Sequence, residues 1–256
     1  MKVLWFTNTP CSAVEILGMN LNSGGWLRSL EEEINKVPNI ELAICFYSYE
    51  KIKPFNYKAT RFYPVYRHNK STKLKRFINR LSSRNDDEND IRELLKVVED
   101  YLPDIIHVHG TEDNFGLVQY HTNIPVVISI QGILNAISEK YFTGVPMQII
   151  ARYESILNKL AAGGIRHEYE QFLQNAEREK RILEGAKYII GRTDFDRRIT
   201  RVLAPSSAYF EGNEILRQSF YKTVWNKTQF ADSLRIITII NSARYKGFEA
   251  IVDTAR

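Results

Sequence analysis

The chain reads as an α/β protein built on a Rossmann-like parallel sheet with helices on both faces, followed by the start of a second domain of the same kind. Three observations predict this. Short apolar runs rich in β-branched residues alternate with stretches whose apolar residues recur at helical spacing. The apolar share of 44% and the charged share of 25% are those of a globular protein with a large core. Near the end, residues 234–240 form a run rich in leucine and isoleucine, interrupted by Arg235 and Thr238, that reads as a strand buried on both faces.

Lys2 to Thr7 is the first strand, closed by Asn8, Thr9 and Pro10. A loop ending in Gly24 and Gly25 opens an amphipathic helix in which Leu27, Leu30 and Ile34 share a face. Strands are expected at 40–47, 61–66, 104–109, 125–130 and 187–191, with a helix over 90–101 and a helical pattern over 149–184. A further helix over 194–203 stops before Pro205, which lacks the backbone donor a helix needs, and a last strand covers 208–211. Strand–helix alternation of this kind implies parallel pairing.

The 256 residues exceed one α/β domain and fall short of two. The expected organisation is an N-terminal domain over 1–212, a linker over 213–233, and over 234–256 the first strand and helix of a truncated second domain. One strand and one helix cannot bury a two-faced strand. Cys11 and Cys45 are too few for a disulfide framework or a cysteine zinc site. The apolar stretch from Val3 to Phe6 is too short for a signal peptide, and no run reaches the roughly 20 apolar residues of a spanning helix. A cytoplasmic location follows as the expectation.

A net charge of +5 and a pI near 9.0 favour a polyanionic partner. Arg61, Arg67, Lys70, Lys73, Lys75, Arg76, Arg80 and Arg84 occur without an intervening acid, and Leu74, Phe77, Ile78 and Leu81 form one apolar helical face among them. This pattern suits either a helix at an anionic membrane interface, over Arg67 to Arg84, or a helix packed on its own domain with a solvated basic rim. Nearby Phe62, Tyr63 and Tyr66 come without a nucleic-acid motif, so no nucleic-acid partner is expected.

Gly24 and Gly25 stand where helix-start amides can meet a phosphate, although the three-glycine dinucleotide fingerprint is missing. His107 and His109 lie on one face at the carboxyl end of a strand, the end at which open parallel sheets bind ligands. The sequence suggests His107 as a packed core residue and His109, at the strand tip, as a ligand contact. Glu112 or Asp113 could join them in a zinc site, but no further ligand spacing supports one, and no metal or cofactor is expected. Gln131 and Gly132 close the next strand in the same way. Lys246 and Gly247 precede the final helix, where an ammonium and backbone amides can hold a diphosphate.

In order and spacing, KVLWFTN from Lys2, GGWL from Gly24, PDIIHVHG from Pro103, PVVISIQG from Pro125, IIGRTDFD from Ile189 and YKGF from Tyr245 resemble glycosyltransferase family 4, over essentially the whole chain. The resemblance implies the GT-B architecture of two Rossmann-like domains facing a cleft. It implies that Gly24 and Gly25 form a flexible loop near the donor diphosphate and acceptor, that His109 sits near the reacting sugar, and that Lys246 binds the donor diphosphate. The family's arginine five or six residues before that lysine is replaced by Ile240 and Asn241, with Arg244 as the substitute, and its paired glutamates are absent. The implied reaction moves a sugar from a nucleotide-sugar donor to a glycan or lipid-linked acceptor, with retention and without a bound metal. A truncated chain would lack most donor contacts and be inactive alone. The competing readings are a non-catalytic, membrane-associated acceptor-binding module and a GT-B sugar epimerase or phosphorylase.

Overall fold

The computed structural model describes residues 1–18, 25–67, 87–154, 164–224, 237–238 and 244–254. Gly24, the basic stretch beyond Arg67 and most of the 234–240 run therefore lie outside the described residues.

Eight strands form one sheet: β1 (Lys2–Thr7), β2 (Glu41–Ser48), β3 (Phe55–Tyr57), β4 (Thr60–Tyr66), β5 (Ile105–His109), β6 (Val126–Ser129), β7 (Tyr188–Gly191) and β8 (Ala208–Glu211). Their spatial order is β3-β4-β2-β1-β5-β6-β7-β8. Every neighbouring pair is parallel except β3 with β4, which form a short antiparallel edge hairpin. The chain starts in the middle at β1, builds outward to β4 and β3, then returns to the other side of β1 with β5. That reversal makes the carboxyl ends of β1 and β5 a topological switch point, where loops leave in opposite directions and open a crevice.

The described helices are α1 (Val14–Leu17), α2 (Gly25–Ile34), α3 (Asp87–Tyr101), α4 (Leu134–Ser138), α5 (Met147–Arg152), α6 (Ile165–Gly185), α7 (Asp194–Leu203), α8 (Gln218–Lys222) and α9 (Phe248–Thr254). Alternation along the strands sorts side chains onto two covered faces. On one, Leu4, Phe6, Ile106, Val108 and Ile128 pack with Leu94 and Val98 of α3 and Ile182 of α6. On the other, Val3, Trp5, Leu42, Ile44 and Phe46 pack with Leu27 of α2 and with Cys11 and Ala13. Helices thus flank both faces, as the sequence predicts.

Helix ends follow ordinary electrostatics. Asp87, Glu88 and Asp90 occupy the first turn of α3, where carboxylates offset the positive end of the helix dipole. Thr193 and Asp196 form a capping box on α7: the Thr193 hydroxyl accepts from the Asp196 N–H, and Asp196 accepts from the Thr193 N–H.

One expectation is refined. The helical pattern over 149–184 is not one helix: α5 ends at Arg152, and α6 begins after Gly164, with the Ile165 N–H donating to the Glu154 carboxylate at 2.6 Å. Glycine disfavours a continuing helix, and a carboxylate at the new N-terminus stabilises a restart. Of the run 234–240 only Ile237 and Thr238 are described, with Ile237 83% exposed, so the strand expected there lies outside the described residues.

Candidate functional site at the sheet switch point

The carboxyl ends of β1, β5, β6 and β7 converge on one edge, and each loop that leaves it is fastened by side chains. Gly110 follows β5 at a φ of +96°, a conformation that costs an L side chain strain, and a Cβ there would run into the Glu112 carboxylate. The Gly110 N–H donates to the Ser129 carbonyl at 2.9 Å, which joins the loop after β5 to β6.

Glu179 of α6, fully buried, accepts from the Thr111 hydroxyl and, at 2.8 Å each, from the Asn135 backbone N–H and carboxamide. One carboxylate therefore ties the loop after β5 to the loop after β6. Arg192, following β7, donates to the Gln131 carbonyl at 2.9 Å and pairs with Glu214. The Thr111 hydroxyl also lies 3.4 Å from the Gly132 carbonyl as donor. Gln131 and Gly132 thus reach the edge as expected, and their described links run through main-chain carbonyls.

His109 ends β5 and is 1% exposed. Its ring is packed by Trp5 at 4.6 Å between centroids, by His107 at 3.9 Å and by Trp26 of α2 at 5.7 Å. Neither of its nitrogens has a hydrogen-bond partner among the described residues. Burial, aided by the neighbouring imidazole, holds His109 well below the ordinary histidine range, so the ring is neutral near pH 7. His107 shares a 2.6 Å hydrogen bond with the Ser129 hydroxyl, and burial pushes it down to about 4. His107 is packed and hydrogen-bonded, and the strand-tip histidine is the more deeply buried of the two, because Trp26 roofs it from another element.

The Glu112 carboxylate lies over Gly110, and the Asn8 carboxamide, just after β1, donates to it at 3.4 Å. Burial above all, with Glu179 and Asp113 nearby, raises its carboxyl above the usual range. Asp113 is engaged elsewhere, receiving Arg67 Nη1 at 2.9 Å, while Arg67 Nη2 reaches Asp90 at 2.7 Å. The Arg67 guanidinium also lies over the Tyr47 ring at 4.1 Å. Arg67, the one described residue of the segment Arg67 to Arg84, faces inward, held by two carboxylates. Among the described residues no group of three or more His, Cys, Asp or Glu side chains could hold a metal ion.

Gly25 is the first residue of α2 and is overlain by the Arg217 guanidinium, so that a Cβ there would collide with it. Arg244 opens a 3-10 turn, Arg244–Lys246, that leads through Gly247 at φ +71° into α9. Lys246 is exposed and lies 5.3 Å from the Tyr245 ring. Tyr245 packs at 6.1 Å from Tyr141 and 5.9 Å from Phe172. No described contact joins Arg244, Lys246 or Gly247 to the switch-point residues. Sequence reasoning missed Asn8, Trp26, Glu179, Arg192 and Arg217; the glutamate and arginines sit in helices or loops whose pattern looks merely solvated, and only their tertiary partners mark them.

No protein-family model matches the chain, and no curated protein matches it in sequence. Among solved structures it is similar to a sucrose-phosphate synthase from Thermosynechococcus elongatus, at 11% identity and a TM-score of 0.45, covering 82% of this chain and 47% of that one. A glycosyltransferase from Siraitia grosvenorii in complex with UDP matches at 9% identity and a TM-score of 0.41, covering 82% and 47%. A UDP-GlcNAc 2-epimerase from Neisseria meningitidis bound to UDP-GlcNAc matches at 14% identity and a TM-score of 0.32, covering 84% and 73%. The matched region spans about half the length of the first two of these chains.

Proposed function

We propose that this chain carries the acceptor-side domain of a GT-B glycosyltransferase that transfers a sugar from a nucleotide-sugar donor to a glycan or lipid-linked acceptor, with retention of anomeric configuration. One observation carries the reading: Asn8, His109 and Gly110 lie at the carboxyl ends of β1 and β5, the switch point at which doubly wound sheets bind ligands, and Gln131 and Gly132 follow the adjacent β6. Supporting it, the segments that resemble the family supply those strand ends. Gly25 begins α2 on the face of the sheet that holds His109, with the Trp26 ring against that imidazole.

In this reading the neutral His109 hydrogen-bonds the transferring sugar. The amides at the start of α2 face the diphosphate, whose developing charge they stabilise without reorganising. Lys246 and the amides around Gly247 hold the same diphosphate from the donor side, with Arg244 assisting.

The test is calorimetric titration of the protein in its full native length with UDP-, GDP- and ADP-sugars, followed by NMR of the product anomer once a transfer is found. Binding of one nucleotide sugar, weakened at least tenfold in Lys246→Ala, is the expected result. Absence of binding by every donor would reject the nucleotide-sugar reading, and a product of inverted configuration would reject retention.

A further inference from the structure

The described helices cover the two faces of the sheet unequally. On the face that carries Trp5, the packed apolar cluster takes in β1, β2, β4 and Ile105 of β5, under α2 and the turn at Cys11. It stops there. The strand register puts Val127, Tyr188, Ile190, Ala208 and Phe210 on that same face of β6, β7 and β8, and none of them belongs to either described core cluster. Tyr188 and Phe210 are 38% and 52% exposed. None of the five is charged. Parallel strands are ordinarily covered on both faces, so three of them with one bare apolar face form a floor on which something docks.

The same chain exposes an apolar ridge away from that floor. After β8 it is led along the carboxyl edge of the sheet: the Gly212 N–H donates to the Gly191 carbonyl at 3.0 Å, Glu214 pairs with Arg192, and the Arg217 guanidinium lies against Gly25, the first residue of α2. Next comes α8, none of whose residues is buried. In and around it Leu216, Phe220, Tyr221 and Val224 are each half or more exposed. The Arg217 contact keeps this ridge beside the start of α2, which covers the other half of the sheet, so the ridge is held away from the floor of its own molecule.

We propose that the floor is covered by the α8 ridge of a second copy of this chain, docked reciprocally about a two-fold axis. Each molecule brings one floor and one ridge, and an isologous contact satisfies both pairs at once. The rings of Tyr188, Phe210, Phe220 and Tyr221, at about 200 Å² each and roughly half exposed, supply about 400 Å² per copy. With the aliphatic side chains between them, the two-fold total comes to about 1,200 Å², the lower range of specific dimer interfaces. Lys222 on the ridge and Glu211 at the edge of the floor, both exposed, carry opposite charges.

Sedimentation velocity of the protein in its full native length, from low to high micromolar concentration, tests the dimer. Expected is a concentration-dependent dimer whose association is weakened at least tenfold by Phe220→Glu on the ridge and, separately, by Phe210→Glu on the floor. If Phe210→Glu loses its thermal transition, Ala208→Glu on the same floor takes its place. A monomer at every concentration overturns the proposal, because the floor is then covered from within one molecule. A dimer that both variants leave intact, or that only one of them weakens, overturns it as well.

Reciprocity is tested by cross-linking. Cys11 and Cys45 are buried, so thiols introduced by Ala208→Cys and by Thr223→Cys are the reactive ones. Mixed in equal amounts and treated with a short bismaleimide, the two variants should cross-link at least tenfold more than either alone. Equal cross-linking in the mixture and in the separate samples overturns the docking of ridge on floor.

Discussion

At the scale of the residue, the two histidines of β5 set an acid sensitivity whose sign can be worked out. Both are lowered by burial, so between their folded values and 6.5 the unfolded chain binds protons that the folded chain refuses. Stability is therefore fully present above about pH 6.5 and is lost as pH falls from there toward about 4, where His107 titrates in the folded state. Thermal melting between pH 7.5 and 4.5 should show the decline, and His107→Gln should flatten it. A wild-type melting temperature constant over that span would mean that the imidazoles are not excluded from water. A second residue-scale prediction concerns Gly110, whose positive φ and contact with Glu112 leave no room for a side chain. Gly110→Ala should cost on the order of 1–3 kcal/mol in urea denaturation. The sequence could name His109 as a strand-tip residue from period-two alternation. It could not tell that Trp26, 83 positions earlier, roofs it, because contact between distant elements leaves no local pattern.

At the scale of the element, strands and long helices were legible because each has to place apolar groups on a fixed period. The boundaries of β1, α7 and β8 agree with the pattern to the residue. Short pieces were not: α4 and the 3-10 turn Asn114–Tyr120 span too few residues for a periodic signal and exist because their surroundings fix them. Glu179 shows how α6 serves the site. Replacing it with leucine would strand the Asn135 backbone N–H and leave the Thr111 hydroxyl only the Gly132 carbonyl and the Asn135 carboxamide only the Ala176 carbonyl, so Glu179→Leu should cost about 2 kcal/mol and loosen both loops. Hydrogen exchange at Thr111 and Asn135 would register the loosening, and unchanged protection there would deny the carboxylate its fastening role. The capping box of α7 is a smaller feature; Thr193→Ala should lower stability by about 1 kcal/mol.

At the scale of the whole molecule, a net charge of +5 is concentrated enough to matter. With Arg67 turned inward, the remaining sequence basicity of residues 70–84 should give salt-dependent binding to vesicles containing phosphatidylserine and none to neutral phosphatidylcholine vesicles. Co-sedimentation at low and high salt reads this directly, and equal binding to both vesicle types would point to an apolar rather than an electrostatic contact. Among the described residues no helix is long and apolar enough to cross a membrane.

The sequence by itself determined the class of fold, since alternating buried strands and amphipathic helices leave a parallel sheet covered on both faces as the economical way to bury their apolar atoms. It also determined that the strand-end residues His109, Gln131 and Gly132 share one edge, because parallel strands all point the same way. Only the tertiary structure decided which strands are neighbours, and hence that the topological switch point lies between β1 and β5. It alone turned Arg67 inward, bound two loops to Glu179 and closed Trp26 over His109. Those outcomes depend on hydrogen bonds and ring contacts between residues far apart in the chain, whose energies exist only once the sheet has brought them together.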